Sequence, residues 1–500
     1  MATTVEFALK QYIDLIRALV AHAKSATETS LDTHLRRSAD QHFFSLVEAA
    51  ESQPEFYSLV EKTRDEFSAD SFERIVSGIW TRPVQSFFRQ SGYYRQVFEG
   101  ETIDDSTLTV SYHEALRRRT HQVTYLAPLE FIEFGQDVLD FGNFKICRFS
   151  EAGLERLLKQ EVRKVFYPTT VVDSHQLSEY WFVVASETLP TGPFSDMEIS
   201  AGPEITLQYS SFPRALEKIF RRLVLYRFPN SLSGPPRLVG GMKGIDPWVG
   251  FFRFGVPFFF RISDAMTESP GIAPDVSILA MKPDSVGGPN EPPIEVWRPV
   301  VEYSMDSPEI EEFLCFVKNV NSLLDEIEPS FLQWRFIDVA MSFLVKAFFA
   351  DLSSGPEQLL WHIVAIEAVL GEDKGRGVTE RLKKRVSALL ARSDDEAKKI
   401  PNEFLELYRL RSQIVHGSTK LETSKVLFGH LGQAREIARR VVHWMLCYLA
   451  HVHKTCSGRT VGMPEREEIL LTLDVDNPGR ARLTTLLATL PSGFPRVPNW

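Results

Sequence analysis

Two residues of opposite charge lie where helical periodicity predicts apolar side chains. Arg411 takes the i+7 position of the apolar stripe in the segment Pro401–Val415. Glu367 takes the same position in Pro356–Leu370. An inward-facing charge is unfavourable unless it is paired and hydrogen-bonded. We therefore expect Glu367 to pair with Arg411. A salt bridge that only fixes the register of two helices is the alternative interpretation.

A histidine follows the arginine on the same segment. His416 comes five residues after Arg411, which on an ideal helix separates the two side chains by roughly 140°. Either the helix opens near Ile414–Gly417, or each residue faces a site that another molecule completes. Imidazole exchanges protons near neutral pH, which would suit acid–base chemistry. A histidine at a helix C-terminus is also favoured simply by the helix dipole.

The string around these residues resembles a known motif. Residues 407–417 read Leu-Tyr-Arg-Leu-Arg-Ser-Gln-Ile-Val-His-Gly, which is similar to the Arg-x4-6-His motif of the HEPN superfamily and most similar to its Apea-like branch. That branch carries an Ile/Leu-Glu-Ala/Leu-x-Leu-Gly string on an upstream helix. Here residues 366–371 read Ile-Glu-Ala-Val-Leu-Gly. The resemblance covers roughly residues 307–454.

The resemblance implies a metal-independent endoribonuclease that acts as a homodimer, usually in bacterial defence against phage or as a toxin. His416 would exchange protons with the ribose 2′-hydroxyl or the leaving oxygen. Arg411 would hold the scissile phosphate, and Glu367 would fix the arginine or tune the histidine. Ser412 takes a position where the family commonly has a polar residue. The expected products are a 2′,3′-cyclic phosphate and a 5′-hydroxyl, and DNA should not be cut. No cofactor is expected.

A local excess of positive charge lies between the two motif strings. Within residues 374–386 only Glu380 opposes six basic residues, which are Lys374, Arg376, Arg381, Lys383, Lys384 and Arg385. Such a cluster could follow an RNA backbone, and a solvated helix face is the equal alternative. The partners that we expect are RNA, including tRNA, a second copy of the chain and a phage-derived trigger.

Two other functions stay open at this point. A catalytically silent HEPN module would bind RNA, a nucleotide or a protein partner, but such modules often lack the arginine or the histidine. A purely structural bundle that dimerises the protein would bury the Arg411–Glu367 pair in its core and turn His416 away from any cleft. Metal chemistry is not expected, because His451 and His453 point to different sides of one helix.

The elements that must position these residues are helices. From residue 307 onward the apolar spacing stays helical, with no strand pattern between the segments. This predicts an α-bundle over residues 307–456, followed by a tail, 457–500, to which no role is assigned. The predicted helices are Pro308–Ile327, Phe331–Ala350, Pro356–Leu370, Thr379–Ala391, Pro401–Val415 and Ser424–His453.

The N-terminal region has a different pattern. Residues 1–100 are predicted to be helical, and residues 101–300 to form an α+β domain with a proline-rich irregular end, which could sense a trigger or guide the substrate. The predicted fold class is multidomain, with an α+β N-terminal region followed by an all-α HEPN-type bundle. Strands are predicted at Thr107–Tyr112, Gln122–Leu126, Leu129–Phe134, Val138–Phe141, Phe144–Phe149 and Tyr180–Ser186, with helices at Glu151–Lys164 and Arg214–Arg227.

Composition sets the general class. The chain has 500 residues, of which 44% are hydrophobic and 24% charged, so we expect folded domains and not disorder. The net charge of −10 does not indicate nucleic acid binding by the chain as a whole. The four cysteines form no Cys-x-x-Cys pair, which fits a reducing cytoplasm. Charged residues interrupt the first apolar run, so neither a signal peptide nor a membrane helix is predicted.

Overall fold

The computed structural model describes residues 4–27, 41–191, 212–228, 254–271, 273–286, 294–328, 334–349, 355–372, 377–391, 394–416, 424–456 and 465–474. The described chain is mostly helical, with an N-terminal α+β region and C-terminal helices. It divides into two compact units. The first unit takes its residues from Met1–Pro128, Cys147–Ile205 and Pro257–Arg298, and the second from Leu129–Ile146, Thr206–Val256 and Pro299–Trp500.

This division differs from the predicted boundaries at residues 100 and 300. The N-terminal helices share a unit with most of the sheet, and the segment 101–300 contributes to both units. Periodicity identifies elements one by one, whereas a compact unit is defined by contacts between segments far apart in the sequence.

The first unit begins with helices, as the sequence predicts for residues 1–100. Their shared core is aromatic: the Tyr12 and Phe88 rings lie 4.7 Å apart edge to face, and Phe56 is fully buried. The helices are α1 (Thr4–Thr27), α2 (Gln41–Glu51), α3 (Pro54–Phe67), α4 (Ser71–Ile75), α5 (Thr81–Gln90), α6 (Tyr93–Glu99) and α7 (Asp105–Arg117), with a 3-10 turn at Ser77–Trp80.

Helix α7 overturns the strand predicted at Thr107–Tyr112. The run of β-branched residues there favours a strand, but Asp104 caps the first turn by accepting a hydrogen bond from the Ser106 amide. Leu108, Tyr112 and Leu116 are buried at a helical spacing of four. The capping residue and the burial of one helix face outweigh local strand propensity.

The remainder of the first unit contains most of the strands. Strands β4 (Lys145–Arg148), β5 (Trp181–Pro190), β1 (Thr120–Leu129) and β6 (Phe260–Ser263) lie side by side in that order. Strand β1 runs antiparallel to β6, with Leu126 opposite Phe260. Strands β7 (Met281–Val286) and β8 (Ile294–Pro299) form a separate pair. The strands predicted near β1, β4 and β5 are confirmed.

The single helix predicted at Glu151–Lys164 is wrong, because the chain forms two. Helix α8 (Glu151–Leu157) ends before α9 (Gln160–Phe166), and Lys159 between them adopts a left-handed backbone with φ of 52°. The Lys159 ammonium donates to the Ser263 carbonyl at 2.9 Å and so anchors the break. The short helix α10 (Ser174–Leu177) and 3-10 turns at Pro168–Thr170 and Val276–Ile278 complete this unit.

The second unit combines short strands with the C-terminal helices. Strands β2 (Phe131–Phe134) and β9 (Val301–Met305) pair in parallel, and β3 (Val138–Asp140) confirms the strand predicted there. Helix α11 (Arg214–Leu223) ends four residues before the predicted Arg227. The proline expected to end it, Pro229, lies outside the described residues.

The predicted C-terminal helices are present. Asp306 and Glu309 form a capping box at the start of the first of them. The helices are α12 (Ser307–Ile327), α13 (Arg335–Phe349), α14 (Gly355–Leu370), α15 (Val378–Leu390), α16 (Asp394–Val415), α17 (Ser424–Cys456) and α18 (Arg466–Asp474). Helix α18 lies in the tail to which the sequence assigns no role.

Helix α16 begins seven residues before the predicted Pro401. Proline has no amide hydrogen, so it leaves the carbonyl four residues earlier, that of Ala397, without its helical donor. The Ser387 hydroxyl of α15 donates to that Ala397 oxygen at 3.3 Å. A side chain from the neighbouring helix therefore replaces the missing backbone hydrogen bond, and the helix continues through the proline.

A helix that crosses a lipid bilayer needs about 20 consecutive, mostly apolar residues. In the part of the chain that the structure describes, no helix is long and apolar enough to cross a membrane.

Candidate functional site

Helices α14 and α16 bring the two predicted charges together. The Arg411 Nη2 atom lies 3.6 Å from Glu367 Oε2, and the side chains keep 31% and 24% of their surface exposed. Buried apolar side chains flank them, with Ile366 on α14 and Leu407 on α16 at 0% exposure. The predicted pairing is confirmed. The burial in the core that a purely structural bundle predicts is wrong, because the two side chains keep 31% and 24% of their surface exposed.

A tyrosine that the sequence analysis did not select completes this pair. The Tyr408 hydroxyl donates to Glu367 Oε1 at 2.9 Å, and the Arg411 guanidinium carbon lies 5.6 Å from the centre of the Tyr408 ring. Burial raises the pKa of Tyr408, and the Glu367 carboxylate raises it further. The phenol therefore stays protonated and donates at neutral pH. Its position three residues before Arg411, on the same helix face, was the available signal.

His416 stands at the C-terminal end of α16. Its side chain is exposed, and its amide donates to the Ser412 carbonyl at 3.0 Å. The helical turn therefore continues to His416, and the roughly 140° between His416 and Arg411 is retained. Ser412 is half-buried. The predicted helix stop at Gly417 lies outside the described residues.

The tail helix α18 holds the end of α14 beside the site. The Arg466 Nη2 atom donates to the Gly371 carbonyl at 2.5 Å and to the Glu367 carbonyl at 3.1 Å. A Cβ atom on Gly371 would lie 2.4 Å from the Glu367 oxygen, so this position excludes any side chain. Arg466 thus fixes the backbone that carries Glu367. Nothing in the sequence of the tail pointed to this role.

An open groove of about 450 Å³ adjoins the pair. Its apolar lining comes from α13, α14 and α15, in the side chains of Phe336, Val339, Val364, Ala368 and Val378. The polar lining consists of Glu367, Glu372 and Arg466. Glu367 therefore belongs both to the groove and to the pair with Arg411. We call this feature the α14 groove.

The predicted RNA-binding cluster is divided by the structure. Arg385 is 2% exposed, donates to the Leu370 carbonyl at 2.7 Å and also pairs with Asp474 and Glu372. Its assignment to an RNA-binding surface is therefore corrected: burial removes it from the surface, and two carboxylates neutralise it.

The other members of the cluster lie nearer to solvent. Arg381 pairs with Glu372 at 2.8 Å, and Lys383 pairs with Glu380 at 2.7 Å. Lys384 is exposed. Lys374 and Arg376 lie outside the described residues. The part of the cluster that the structure describes therefore presents less net positive charge than its sequence suggests.

Histidine, a common metal ligand, recurs along the long helix α17. His443 is 1% exposed, and burial lowers its pKa to about 3. Among the described residues, no three His, Cys, Asp or Glu side chains are grouped so that they could hold a metal ion.

No model of a known protein family matches the chain, and neither a curated protein nor a solved structure matches it. A half-exposed guanidinium faces a carboxylate, and an exposed imidazole follows about 7.5 Å further along the helix axis. Guanidinium groups bind phosphates, and imidazoles transfer protons. This combination suits proton transfer at a phosphate ester.

Proposed function

We propose that this protein is a metal-independent endoribonuclease of the HEPN type, which cleaves RNA through the ribose 2′-hydroxyl and acts as a homodimer. The observation that carries the proposal is that the Arg411 guanidinium lies close to Glu367 without a hydrogen bond to it. Its 3.6 Å distance to Glu367 exceeds a hydrogen bond, so the carboxylate orients the guanidinium without consuming its donors. The resemblance of residues 407–417 to the HEPN motif supports the same assignment.

The proposed reaction needs a proton acceptor, a proton donor and a positive charge at the phosphate. His416 takes the proton from the 2′-hydroxyl, whose oxygen then attacks the adjacent phosphorus. Arg411 stabilises the additional negative charge of the phosphorane. The bond from phosphorus to the 5′-oxygen breaks, and a protonated imidazole returns a proton to that oxygen. A 2′,3′-cyclic phosphate and a 5′-hydroxyl result, and the reaction consumes no other reagent.

The angle between Arg411 and His416 favours a site built by two chains. Because the two side chains point to different sides of α16, one helix alone presents them poorly to a single phosphate. Two such helix ends that meet across a two-fold axis would place arginines and histidines from both chains in one cleft. One imidazole would then accept the proton and the partner's His416 would donate it.

The biological role follows from the resemblance. HEPN proteins of this branch serve in bacterial defence against phage or as toxins, so we propose a cytoplasmic effector whose first unit senses a trigger or guides the RNA. RNA, including tRNA, would be the substrate, and a phage-derived product would be the trigger. A silent HEPN module that binds RNA, a nucleotide or a protein is the competing assignment.

The decisive experiment measures cleavage of labelled tRNA and of a partly single-stranded RNA in EDTA, with and without phage lysate. Wild type should cut and leave cyclic-phosphate ends, whereas His416→Ala should not. Arg409→Ala is the matched control, because Arg409 is an exposed arginine on the same helix, two residues before Arg411. If wild type and His416→Ala are equally inactive under every condition, the silent binding module replaces the nuclease.

A further inference from the structure

The α14 groove shares a residue with the proposed catalytic site. Glu367 lines the groove, and its carboxylate also faces Arg411 at 3.6 Å. A phosphate held by Arg411 would therefore lie on the side of Glu367 next to the groove. Since RNA is bound as a chain of phosphates and bases, a site that holds one phosphate needs a nearby place for the adjoining base.

The size and lining of the groove fit a flat heterocycle. Its volume of about 450 Å³ falls within the range of small-ligand sites. Phe336 is half-buried in the wall, and the Arg466 guanidinium carbon lies 5.7 Å from the centre of its ring. Aromatic rings and guanidinium planes are the groups on which unpaired RNA bases stack. Val364 and Ala368 supply apolar contact below them.

The polar side of the groove offers hydrogen-bond acceptors in fixed positions. The Glu372 carboxylate pairs with Arg381 at 2.8 Å and with Arg385. Each carboxylate oxygen has two acceptor positions, so a carboxylate that pairs with arginines can still accept from a ligand. Among the bases, guanine presents two adjacent N–H donors on one edge, which match the two oxygens of a carboxylate. Uracil presents one N–H between two carbonyls.

We infer that the α14 groove is a base-specificity site, which takes an unpaired guanine next to the scissile phosphate. Glu372 accepts hydrogen bonds from the guanine edge, and Phe336 with Arg466 provides the stacking surface. The inference rests on the proposed function, because it names the substrate feature that the same site selects. It assigns to the tail helix α18 a part in substrate recognition, through Arg466.

Binding can be tested without catalysis in the full-length His416→Ala protein. The probes are two fluorescein-labelled RNA heptamers, one of seven uridines and one with a central guanosine among uridines, with fluorescence anisotropy as the readout. The guanosine oligomer should bind about tenfold more tightly, as one two-point base contact provides. Ala368→Phe, which fills the groove, should abolish that preference and leave the weaker uridine binding in place.

Two further variants distinguish the loss of base binding from a folding defect. Phe336→Leu removes the stacking ring but keeps an apolar side chain, and it should reduce the preference at least threefold. Leu471→Phe is the control for added bulk, because Leu471 lies on α18 with 62% of its surface exposed. This variant should bind like the parent. Melting temperatures identify any variant that fails to fold.

The outcomes separate this inference from the proposed function. Equal affinity for both oligomers, binding of neither, or a preference that survives Ala368→Phe would overturn the base-specificity site, even if wild type cleaves RNA. Guanosine-selective binding that Ala368→Phe removes would support the site even if wild type proves inactive. In an active wild type, mapped cuts should cluster beside unpaired guanines, and Ala368→Phe should scatter them.

Discussion

Arg385 and Arg411 show how the same side chain serves two purposes on neighbouring helices. Both belong to the C-terminal bundle, and both face carboxylates. Arg385 is 2% exposed and donates to Asp474, Glu372 and the Leu370 carbonyl. Arg411 is 31% exposed and faces one carboxylate at 3.6 Å. The first arginine joins three chain segments, whereas the second is oriented by Glu367 and, among the described residues, keeps its donors available.

This difference shows which charged side chains of a helical bundle are available for chemistry. An arginine whose donors are all used inside the fold cannot bind a substrate without losing stability. An arginine that is oriented by a carboxylate and an aromatic ring, yet reachable from solvent, is prepared to bind a phosphate. A mutation of Arg385 should therefore reduce mainly stability, whereas a mutation of Arg411 should reduce mainly the proposed activity.

The largest effect should follow Arg411→Gln. We expect the rate of the proposed RNA cleavage to fall about 10²–10³-fold, since this is the typical loss when one group that stabilises a transition-state charge is removed. The free energy of unfolding should change by less than about 1 kcal/mol, because the pair is partly exposed. Single-turnover cleavage and urea unfolding measure the two quantities. Arg409→Gln is the control, and equal loss of activity in both variants would contradict a specific role for Arg411.

Arg385→Met should produce the opposite signature. We expect the free energy of unfolding to decrease by about 3 kcal/mol, the lower end for removal of one partner from a buried pair. The lower end applies because the carboxylates left behind, Glu372 and Asp474, are 26% and 28% exposed and can be hydrated. Urea unfolding measures the loss. Lys384→Met, an exposed neighbour on α15, should change it by less than about 0.5 kcal/mol.

Sequence patterns were sufficient to predict the Arg411–Glu367 pair, because both residues interrupt an apolar stripe. Helix periodicity fixes which face a residue occupies, and two opposite charges on inward faces of one bundle have few other partners. The depth of the pair was not predictable in the same way. Where a stripe leaves the core depends on how the helices cross, which the spacing within one helix does not determine.

Arg385 and Arg466 show what the sequence could not provide. Arg385 appeared to belong to a basic surface because its neighbours in sequence are charged, but its partner Asp474 lies on a helix 89 residues further along. Arg466 sits in a tail without a recognisable pattern. Similarly, Thr107–Tyr112 was predicted as a strand from local propensity, while burial of Leu108 and Leu116 made it a helix. Each error concerns contacts between distant segments.

The contrast between buried and exposed groups extends to the histidines. His362 and His443 are 2% and 1% exposed, and burial, together with the charges of Arg435 and Arg439, lowers the pKa of each to about 3. Below a pH of about 6.5 the unfolded chain binds a proton at each position that the folded chain does not. The stability that these two neutral histidines contribute is therefore fully present above that pH. It decreases as the pH falls towards 3.

We expect the free energy of unfolding to decrease by about 1.4 kcal/mol per buried histidine when the pH is lowered from 7.5 to 5.5. Urea unfolding at the two pH values measures it. His443→Leu should reduce the difference by about that amount, since leucine does not titrate. A His443→Leu protein with the pH dependence of wild type would show that the buried histidine is not its source.

The smallest effect concerns the hydroxyl that orients the exposed pair. Tyr408→Phe removes the 2.9 Å hydrogen bond to Glu367, and we expect about 1 kcal/mol of stability and a few-fold of the cleavage rate to be lost. The loss is modest because Glu367 is 24% exposed and water can replace the hydroxyl. A double-mutant cycle with Glu367→Ala tests the link, because alanine removes the acceptor. If Tyr408 acts by holding the carboxylate, the two losses should not add; full additivity would mean that the hydroxyl contributes through a partner other than Glu367.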